Sequence, residues 1–181
     1  EIGNICKKLN VDVYDVAKGI GLDHRISPHF LKAGPGFGGS CFPKDVKGII
    51  HKANEVGIKP TLLESVLKVN EEQPKKVLEL ALRKIKSFNK KRISILGLAF
   101  KADTDDIRES PAIPIINGLL KENASVIAYD PKAVNNAKKI FHDKIKYANS
   151  IGEALKDSSL VIIVTDWKEF FLQAGKDAAG L

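Results

Sequence analysis

The feature that most constrains the fold is a change in the spacing of apolar residues near residue 90. Before this point, apolar residues recur every three or four positions, which is the spacing of amphipathic helices. After it, helical stretches alternate with short apolar runs, which are "KKRISILGLAF", "SVIAYD", "IKYAN" and "SLVIIVTD". Strands that alternate with helices are typical of βαβ units and a parallel sheet. The sequence therefore predicts an α/β fold, with an all-helical part over residues 1–88 followed by an open α/β part over residues 89–181.

The first half of the chain carries four helical patterns. The first is already under way at the start of the chain. Asp12 can cap the second, which Gly21 ends. The third starts at Pro43, because proline favours the first helical position. The fourth covers residues 61–87, and Pro74 either kinks it or begins a separate helix.

These helices present wide apolar faces, and a helical unit of about 88 residues can bury only part of them in its own core. The remainder suits a partner, and identical partners usually pair about a two-fold axis. We therefore expect a homodimer. The apolar positions that carry this expectation are Ile2, Ile5, Leu9, Val13, Val16, Ile20, Leu63, Val66, Leu67, Val77, Leu78 and Leu82.

Composition and charge exclude several classes of protein. The chain is 44% hydrophobic and 28% charged, which is ordinary for a soluble globular protein, and its two cysteines make no disulfide framework. No apolar run approaches the about 20 residues that span a membrane. The net charge of +7 would suit a polyanionic partner such as nucleic acid, but the lysines are scattered, and a substrate or cofactor with phosphates explains the excess equally well. We expect a cytoplasmic protein with neither a membrane nor a nucleic-acid partner.

The chain contains no methionine and begins with Glu1. A primary translation product starts with methionine, and the usual removal of that residue needs a small second residue. We therefore expect a piece of a longer protein.

Residues 34–45, "GPGFGGSCFPKD", place a cysteine in a glycine-rich turn. Cys41 lies just before the helix that Pro43 starts, where the helix dipole and Lys44 favour a thiolate. Such a thiolate is a nucleophile for an electrophilic carbon, and the glycines let the backbone approach a ligand. The alternative is a small buried residue in a tight turn. Asp45 could take a proton or position water beside the sulfur, or it could simply complement the helix dipole.

The loop "GLAFKADTDDIRES" follows the first strand and precedes a helix, which is where α/β sheets place ligands. Its single Gly97 is not a dinucleotide-binding fingerprint, but Lys101 and Arg108 could meet phosphates. The alternative is a solvated charged loop. Asp130 lies at the end of the second strand, where a ribose-binding acid would be. The histidines have no metal-ligand spacing with the cysteines, so we expect no metal; they are His24, His29, His51 and His142.

Four segments carry a resemblance to a known family. They are "GPGFGGSCFPKD", "GLDHRISPHFLKA" before it, "NEEQP" after it and "ILGLAFKADTDDIRES". Together they resemble the nucleotide-sugar dehydrogenases of the UDP-glucose/GDP-mannose dehydrogenase family, which oxidise a sugar alcohol to an acid. "GGSCFPKD" is similar to the version in enzymes that act on UDP-glucose, and GDP-mannose is the alternative substrate.

The resemblance implies an enzyme of three parts. An amino-terminal Rossmann domain binds NAD, a helical central domain forms the dimer, and a carboxy-terminal Rossmann-like α/β domain binds the UDP-sugar. This chain resembles the last two parts. Residues 1–88 are then the central dimerisation domain with the cysteine loop, and residues 89–181 are an incomplete UDP-sugar-binding domain. For the chain by itself, the alternative function is a non-catalytic UDP-sugar-binding or dimerisation fragment.

The same resemblance implies roles for individual residues. Cys41 would attack the aldehyde from the first oxidation and form a thiohemiacetal. The second oxidation would leave a thioester, which water hydrolyses with help from Asp45. Cys41, Lys44 and Arg108 would lie toward NAD. The residues implied for UDP-sugar binding are Arg25, Phe30, Leu31, Lys32, Ala33, Gly34, Phe37, Gly38, Phe100 and Lys101.

Overall fold

Residues 1–171 are described by the structure, a computed structural model, and they fall into two units. The first unit is Glu1–Gly34, and the second begins at Pro35. This division does not test the domain boundary expected near residue 88, which stays a prediction.

The first unit contains two helices, α1 (Ile2–Leu9) and α2 (Val13–Gly21). Helix α1 ends where Asn10 adopts a left-handed conformation with φ of 56°. The Asp12 side chain accepts a hydrogen bond from the Tyr14 backbone N–H at 2.8 Å, which satisfies one of the free amides at the start of α2. The predicted cap is confirmed.

The second unit begins with the remaining helices of the first half, α3 (Phe42–Glu55) and α4 (Thr61–Ile85). Helix α3 starts one residue earlier than predicted, so Pro43 is its second residue. Helix α4 continues through Pro74 as one helix, and Pro74 provides no N–H for the carbonyl of Asn70. None of the helices within residues 1–171 is long and apolar enough to cross a membrane.

A four-stranded parallel sheet follows, with the order β3-β2-β1-β4. Its strands are β1 (Arg92–Leu96), β2 (Ser125–Tyr129), β3 (Lys146–Tyr147) and β4 (Leu160–Ile163). The helices between them are α5 (Ala112–Lys121), α6 (Val134–Phe141) and α7 (Ile151–Leu155). In the central strand, Ser94 lies opposite Ile127 of β2 and Val161 of β4. The predicted α/β fold with a parallel sheet is confirmed.

The hydrophobic core lies around β1. Ile93 and Ile95 of this strand are fully buried, as are Ile115 and Ile116 of α5. Residues of α4 pack against the same core, and a β-carbon at Gly118 would clash with Leu78. The loop that leaves the carboxyl end of β1 is therefore anchored on the most buried strand of the sheet.

Asp130 is buried at the end of β2 and accepts hydrogen bonds from several segments of the chain. Its Oδ2 accepts hydrogen bonds from the backbone N–H groups of Leu98 (2.8 Å) and Ala99 (3.1 Å) and from Trp167 Nε1 (3.2 Å). Its Oδ1 accepts from the N–H of Lys132 (2.9 Å) and Ala133 (2.8 Å). Both carboxylate oxygens are thus occupied by the protein itself, and Asp130 fixes the first residues of the loop after β1.

Candidate active site

Cys41 is exposed at the N-cap position of α3. Its Sγ lies 3.7 Å from the Oγ of Ser40. The second cysteine, Cys6, is buried in the other unit. The exposed position excludes the alternative of a buried structural cysteine in a tight turn, and a ligand can reach the sulfur.

Asn70 of α4 holds the segment that leads to Cys41. The Asn70 Oδ1 accepts a hydrogen bond from the Phe37 backbone N–H at 2.7 Å, and its Nδ2 donates to the Phe37 carbonyl at 3.0 Å. Gly36 has φ of 122°, and a β-carbon there would lie 2.9 Å from Asn70 Oδ1. Sequence reasoning missed Asn70. The sequence signal that could have found it is its position four residues before Pro74, because proline has no N–H to donate to the Asn70 carbonyl.

The loop after β1 also contacts this segment. The Gly39 N–H donates to the Arg108 carbonyl at 2.8 Å. Gly39 has φ of 86°, and a β-carbon there would lie 2.7 Å from the Phe100 ring; a β-carbon at Gly38 would clash with the Glu109 carbonyl. These glycines therefore permit close contact with the protein itself, which the sequence reasoning did not foresee. Ligand contact at Gly38 stays a prediction.

Charged side chains surround the start of α3. Lys44 Nζ lies 2.9 Å from Asp45 Oδ1, and Lys47 Nζ lies 3.3 Å from Glu109 Oε1. The hydrogen bond that Lys44 donates to Asp45 is the main reason that the pKa of Lys44 is raised, and the charge of Cys41 contributes less. The Asp45 backbone N–H donates to the Cys41 carbonyl at 2.8 Å. Lys44 and Asp45 thus form an ion pair one helical turn from the thiol.

Arg108 is fixed by Asp106, two residues earlier. The Asp106 carboxylate accepts from Arg108 Nε at 3.0 Å and from Nη2 at 2.7 Å. The hydrogen bond with Asp106 is the main reason that the pKa of Arg108 is raised, and the charge of Cys41 again contributes. Lys101 Nζ lies 5.6 Å from the centre of the Phe100 ring. Lys44 and Arg108 thus come from two separate elements, and an aspartate pairs with each of them.

The second unit contains the larger set of predicted site residues, which are Phe37, Gly38, Cys41, Lys44, Asp45, Phe100, Lys101 and Arg108. The other predicted residues belong to the first unit; they are Arg25, Phe30, Leu31, Lys32, Ala33 and Gly34. Within that unit Arg25 pairs with Asp23 at 2.6 Å, and Phe30 is 84% exposed in a left-handed conformation with φ of 66°. The roles of both sets stay predictions.

Two protein-family models match the chain, one in each half. A family model described as the central domain of the UDP-glucose/GDP-mannose dehydrogenase family matches residues 1–72. A second model, described as the UDP-binding domain of the same family, matches residues 94–179.

Two curated proteins illustrate the similarity. The UDP-glucose 6-dehydrogenase YwqF of Bacillus subtilis is 45% identical over 98% of this chain and 41% of its own length. The UDP-glucose 6-dehydrogenase AglM of Haloferax volcanii is 47% identical over 94% of this chain and 39% of its own length. The chain therefore spans about two fifths of these relatives.

Solved structures show the same fold. A UDP-glucose dehydrogenase from Pyrobaculum islandicum is 37% identical with a TM-score of 0.90, over 93% of this chain and 39% of that one. A ternary complex of GDP-mannose dehydrogenase from Pseudomonas aeruginosa is 28% identical with a TM-score of 0.70, over 93% of this chain and 41% of that one.

Proposed function

Because this chain belongs to the UDP-glucose/GDP-mannose dehydrogenase family, we propose that it supplies the central and UDP-sugar-binding parts of an NAD-dependent UDP-glucose 6-dehydrogenase. The observation that carries the proposal is the exposed Cys41 at the start of α3, on a glycine segment held between α4 and the loop after β1. An accessible thiol held in this way suits a reaction in which sulfur adds to a carbonyl carbon and later departs.

Cys41 is the nucleophile in the proposed reaction, which converts the C6 alcohol of UDP-glucose to a carboxylate. After oxidation of the alcohol to the aldehyde, the Cys41 thiolate forms a bond to the aldehyde carbon, and the oxygen takes a proton to give a thiohemiacetal. A second oxidation at the same carbon leaves a thioester. Water adds to the thioester carbonyl, the carbon–sulfur bond breaks, and UDP-glucuronate and the thiolate are released. The covalent bond retains the reactive aldehyde between the two oxidations.

Asp45 positions or activates the hydrolytic water. It lies on α3 four residues after Cys41, so the two side chains are on one face of the helix. Lys44 pairs with the Asp45 carboxylate at 2.9 Å, and both side chains are exposed. The carboxylate therefore remains accessible to a water molecule beside the thioester.

The cofactor and the substrate contact different groups in this proposal. Lys44 and Arg108 suit the negatively charged phosphates of NAD, because both side chains are exposed cations within electrostatic reach of Cys41. NAD, when bound, would supply the hydride acceptor, and the two oxidations would each consume one NAD. The UDP-sugar is held by Arg25 and by the residues that the resemblance implies, which are Phe30, Leu31, Lys32, Ala33, Gly34, Phe37, Gly38, Phe100 and Lys101.

The choice of sugar rests on similarity. The two curated relatives described above are 45% and 47% identical and are named UDP-glucose 6-dehydrogenases. The GDP-mannose dehydrogenase structure is 28% identical. UDP-glucose is therefore the proposed substrate, and GDP-mannose is the alternative.

An assay of NADH formation tests the proposal. The 181-residue chain is incubated with NAD and UDP-glucose, alone and with a supplied amino-terminal dinucleotide-binding domain of the family, and GDP-mannose replaces UDP-glucose in parallel. We expect the chain alone to be inactive, and activity with UDP-glucose when the domain is supplied. Preference for GDP-mannose would overturn the choice of sugar. NADH formation by the pure chain alone would show that the supplied domain is not needed.

A further inference from the structure

Two of the four arginines in the chain follow an aspartate by two residues, and the aspartate holds each in the same way. The Asp106 carboxylate accepts hydrogen bonds from the Arg108 backbone N–H at 2.9 Å, from its Nε at 3.0 Å and from its Nη2 at 2.7 Å. The Asp23 carboxylate accepts the same three hydrogen bonds from Arg25, at 2.9, 3.0 and 2.6 Å. We call this arrangement an arginine clip.

The clip orders the arginine while leaving one edge of it available. A guanidinium has five N–H donors, and the clip occupies the Nε side. Within residues 1–171, the Nη1 of Arg108 makes no hydrogen bond, and the Arg108 side chain is 67% exposed. An arginine that is already ordered loses little rotamer freedom when an anion binds to its free edge.

The clip at Arg108 is fixed relative to the cysteine segment. The Arg108 carbonyl accepts the N–H of Gly39, two residues before Cys41, at 2.8 Å. The Asp106 carbonyl accepts the N–H of Phe100 at 3.0 Å. Main-chain hydrogen bonds thus hold the backbone of both members of the clip, and one of them joins Arg108 to the segment that carries Cys41.

We propose that Asp106 is a positioning residue, which holds the Arg108 guanidinium in the orientation that receives an anionic group beside Cys41. The identity of the natural anion, a nucleotide phosphate, rests on the proposed function; the positioning role does not. This role predicts that loss of the Asp106 charge changes the attraction for anions in the direction opposite to that expected from simple electrostatics. Loss of the Asp106 charge makes the region more positive, yet it should weaken the attraction for anions because Arg108 is no longer held.

Alkylation of Cys41 by two reagents measures this attraction on the 181-residue chain. Iodoacetate carries a negative charge and iodoacetamide does not, so the ratio of their rate constants reports the local preference for an anion. Peptide mass spectrometry separates Cys41 from the buried Cys6. At low ionic strength, where charges are least screened, Asp106→Asn should lower the ratio about two- to fivefold. The asparagine retains an oxygen that can accept the Arg108 N–H, so the turn is kept.

The matched control is Asp105→Asn, which removes the same charge one residue away. The Asp105 side chain accepts a hydrogen bond from Asn136 and takes no part in the clip. Its ratio should equal or exceed that of the unmodified chain. Arg108→Lys keeps the positive charge but not the paired hydrogen bonds, so it should lower the ratio as Asp106→Asn does.

Three results would overturn the proposal. The first is an unchanged or higher ratio in Asp106→Asn, and the second is an equal decrease in Asp105→Asn. The third is a decrease in the ratio when Asp106→Asn is added to a chain that already carries Arg108→Gln. In that chain Asp106→Asn should raise the ratio, and a decrease would mean that Asp106 does not act through Arg108. The reagents need neither NAD nor UDP-glucose. If the alkylation ratios change as expected but no dehydrogenase activity is found, the result therefore counts against the proposed function alone.

Discussion

Cys41 combines three properties at the scale of one residue. It is exposed, it stands at the start of a helix, and two cations from different elements lie within electrostatic reach of its sulfur. Exposure lets a substrate carbon reach the sulfur, and the helix start and the two cations place positive charge near it. These are the properties that the proposed covalent step needs, because the sulfur must add to an aldehyde and later leave a thioester.

Cys41→Ser in the dehydrogenase assembled with the supplied amino-terminal domain should abolish acid formation. A serine hydroxyl is far less ionised than a cysteine thiol and is a weaker nucleophile, so we expect a loss of at least about a hundredfold in the rate of UDP-glucuronate formation. Product analysis by chromatography is the measurement, and Cys6→Ser is the control. A Cys41→Ser variant that forms the acid at a near-normal rate would overturn the nucleophile assignment.

The two clipped aspartates should titrate below the ordinary aspartate value of 3.8. The hydrogen bonds from Arg25 and Arg108 are the main reason that the pKa values of Asp23 and Asp106 are lowered. Because these pKa values are lowered in the folded chain, the pairs contribute stability above pH 3.8, and that contribution is lost as the pH falls through the lowered values.

Carboxyl carbon NMR shifts measure these two pKa values. Arg108→Gln should return the pKa of Asp106 toward 3.8 and leave that of Asp23 unchanged, and Arg25→Gln should do the reverse. Asp106 titrating at or above 3.8 in the unmodified chain would contradict the pairing.

At the scale of elements, the segment before Cys41 is held by two elements. Helix α4 contributes Asn70, and the loop after β1 contributes the carbonyl of Arg108. Neither contact is local in sequence. The position of the thiol therefore depends on how α4 and the sheet pack together.

Asn70→Ala should destabilise the second unit by about 1–3 kcal/mol, because it leaves the Phe37 N–H and carbonyl without these partners. Amide hydrogen exchange should show loss of protection at Phe37, and urea unfolding gives the free energy. Asn70→Asp is the matched variant: it retains an acceptor for the Phe37 N–H and loses the donor, so protection at Phe37 should persist. Equal protection of Phe37 in Asn70→Ala would contradict this role of Asn70.

At the scale of the whole molecule, several of the apolar positions on the predicted helical faces are exposed. Ile2, Ile5, Leu9 and Ile20 are 52%, 53%, 68% and 41% exposed, respectively. Exposed apolar side chains on adjacent helices are typical of surfaces that bind a partner. This observation supports the proposed homodimer.

The 181-residue chain should sediment as a homodimer at micromolar concentration. Burial of these apolar side chains against a second copy supplies the driving force. Ile5→Glu should shift the chain toward the monomer, and Lys59→Glu, which also introduces a glutamate but at an already polar exposed site, is the control. A strictly monomeric unmodified chain at this concentration would refute the proposal.

The sequence by itself determined the order of helices and strands and the family of the chain. Local signals were sufficient for the Asp12 cap, for the helix that starts beside Cys41 and for the alternation of strands and helices, because each depends on residues within a few positions of one another. The family resemblance also depended on short segments, and the family models match both halves of the chain.

Only the tertiary structure decided which groups hold the site. Asn70 lies 33 residues from Phe37, and Arg108 lies far along the chain from Gly39, so no local pattern connects either pair. Asp130 looked like a ligand-binding acid at a strand end, but its oxygens are occupied by the amides of two loops and by Trp167. These contacts exist because the sheet brings strand ends together and buries polar groups that must then find partners within the protein.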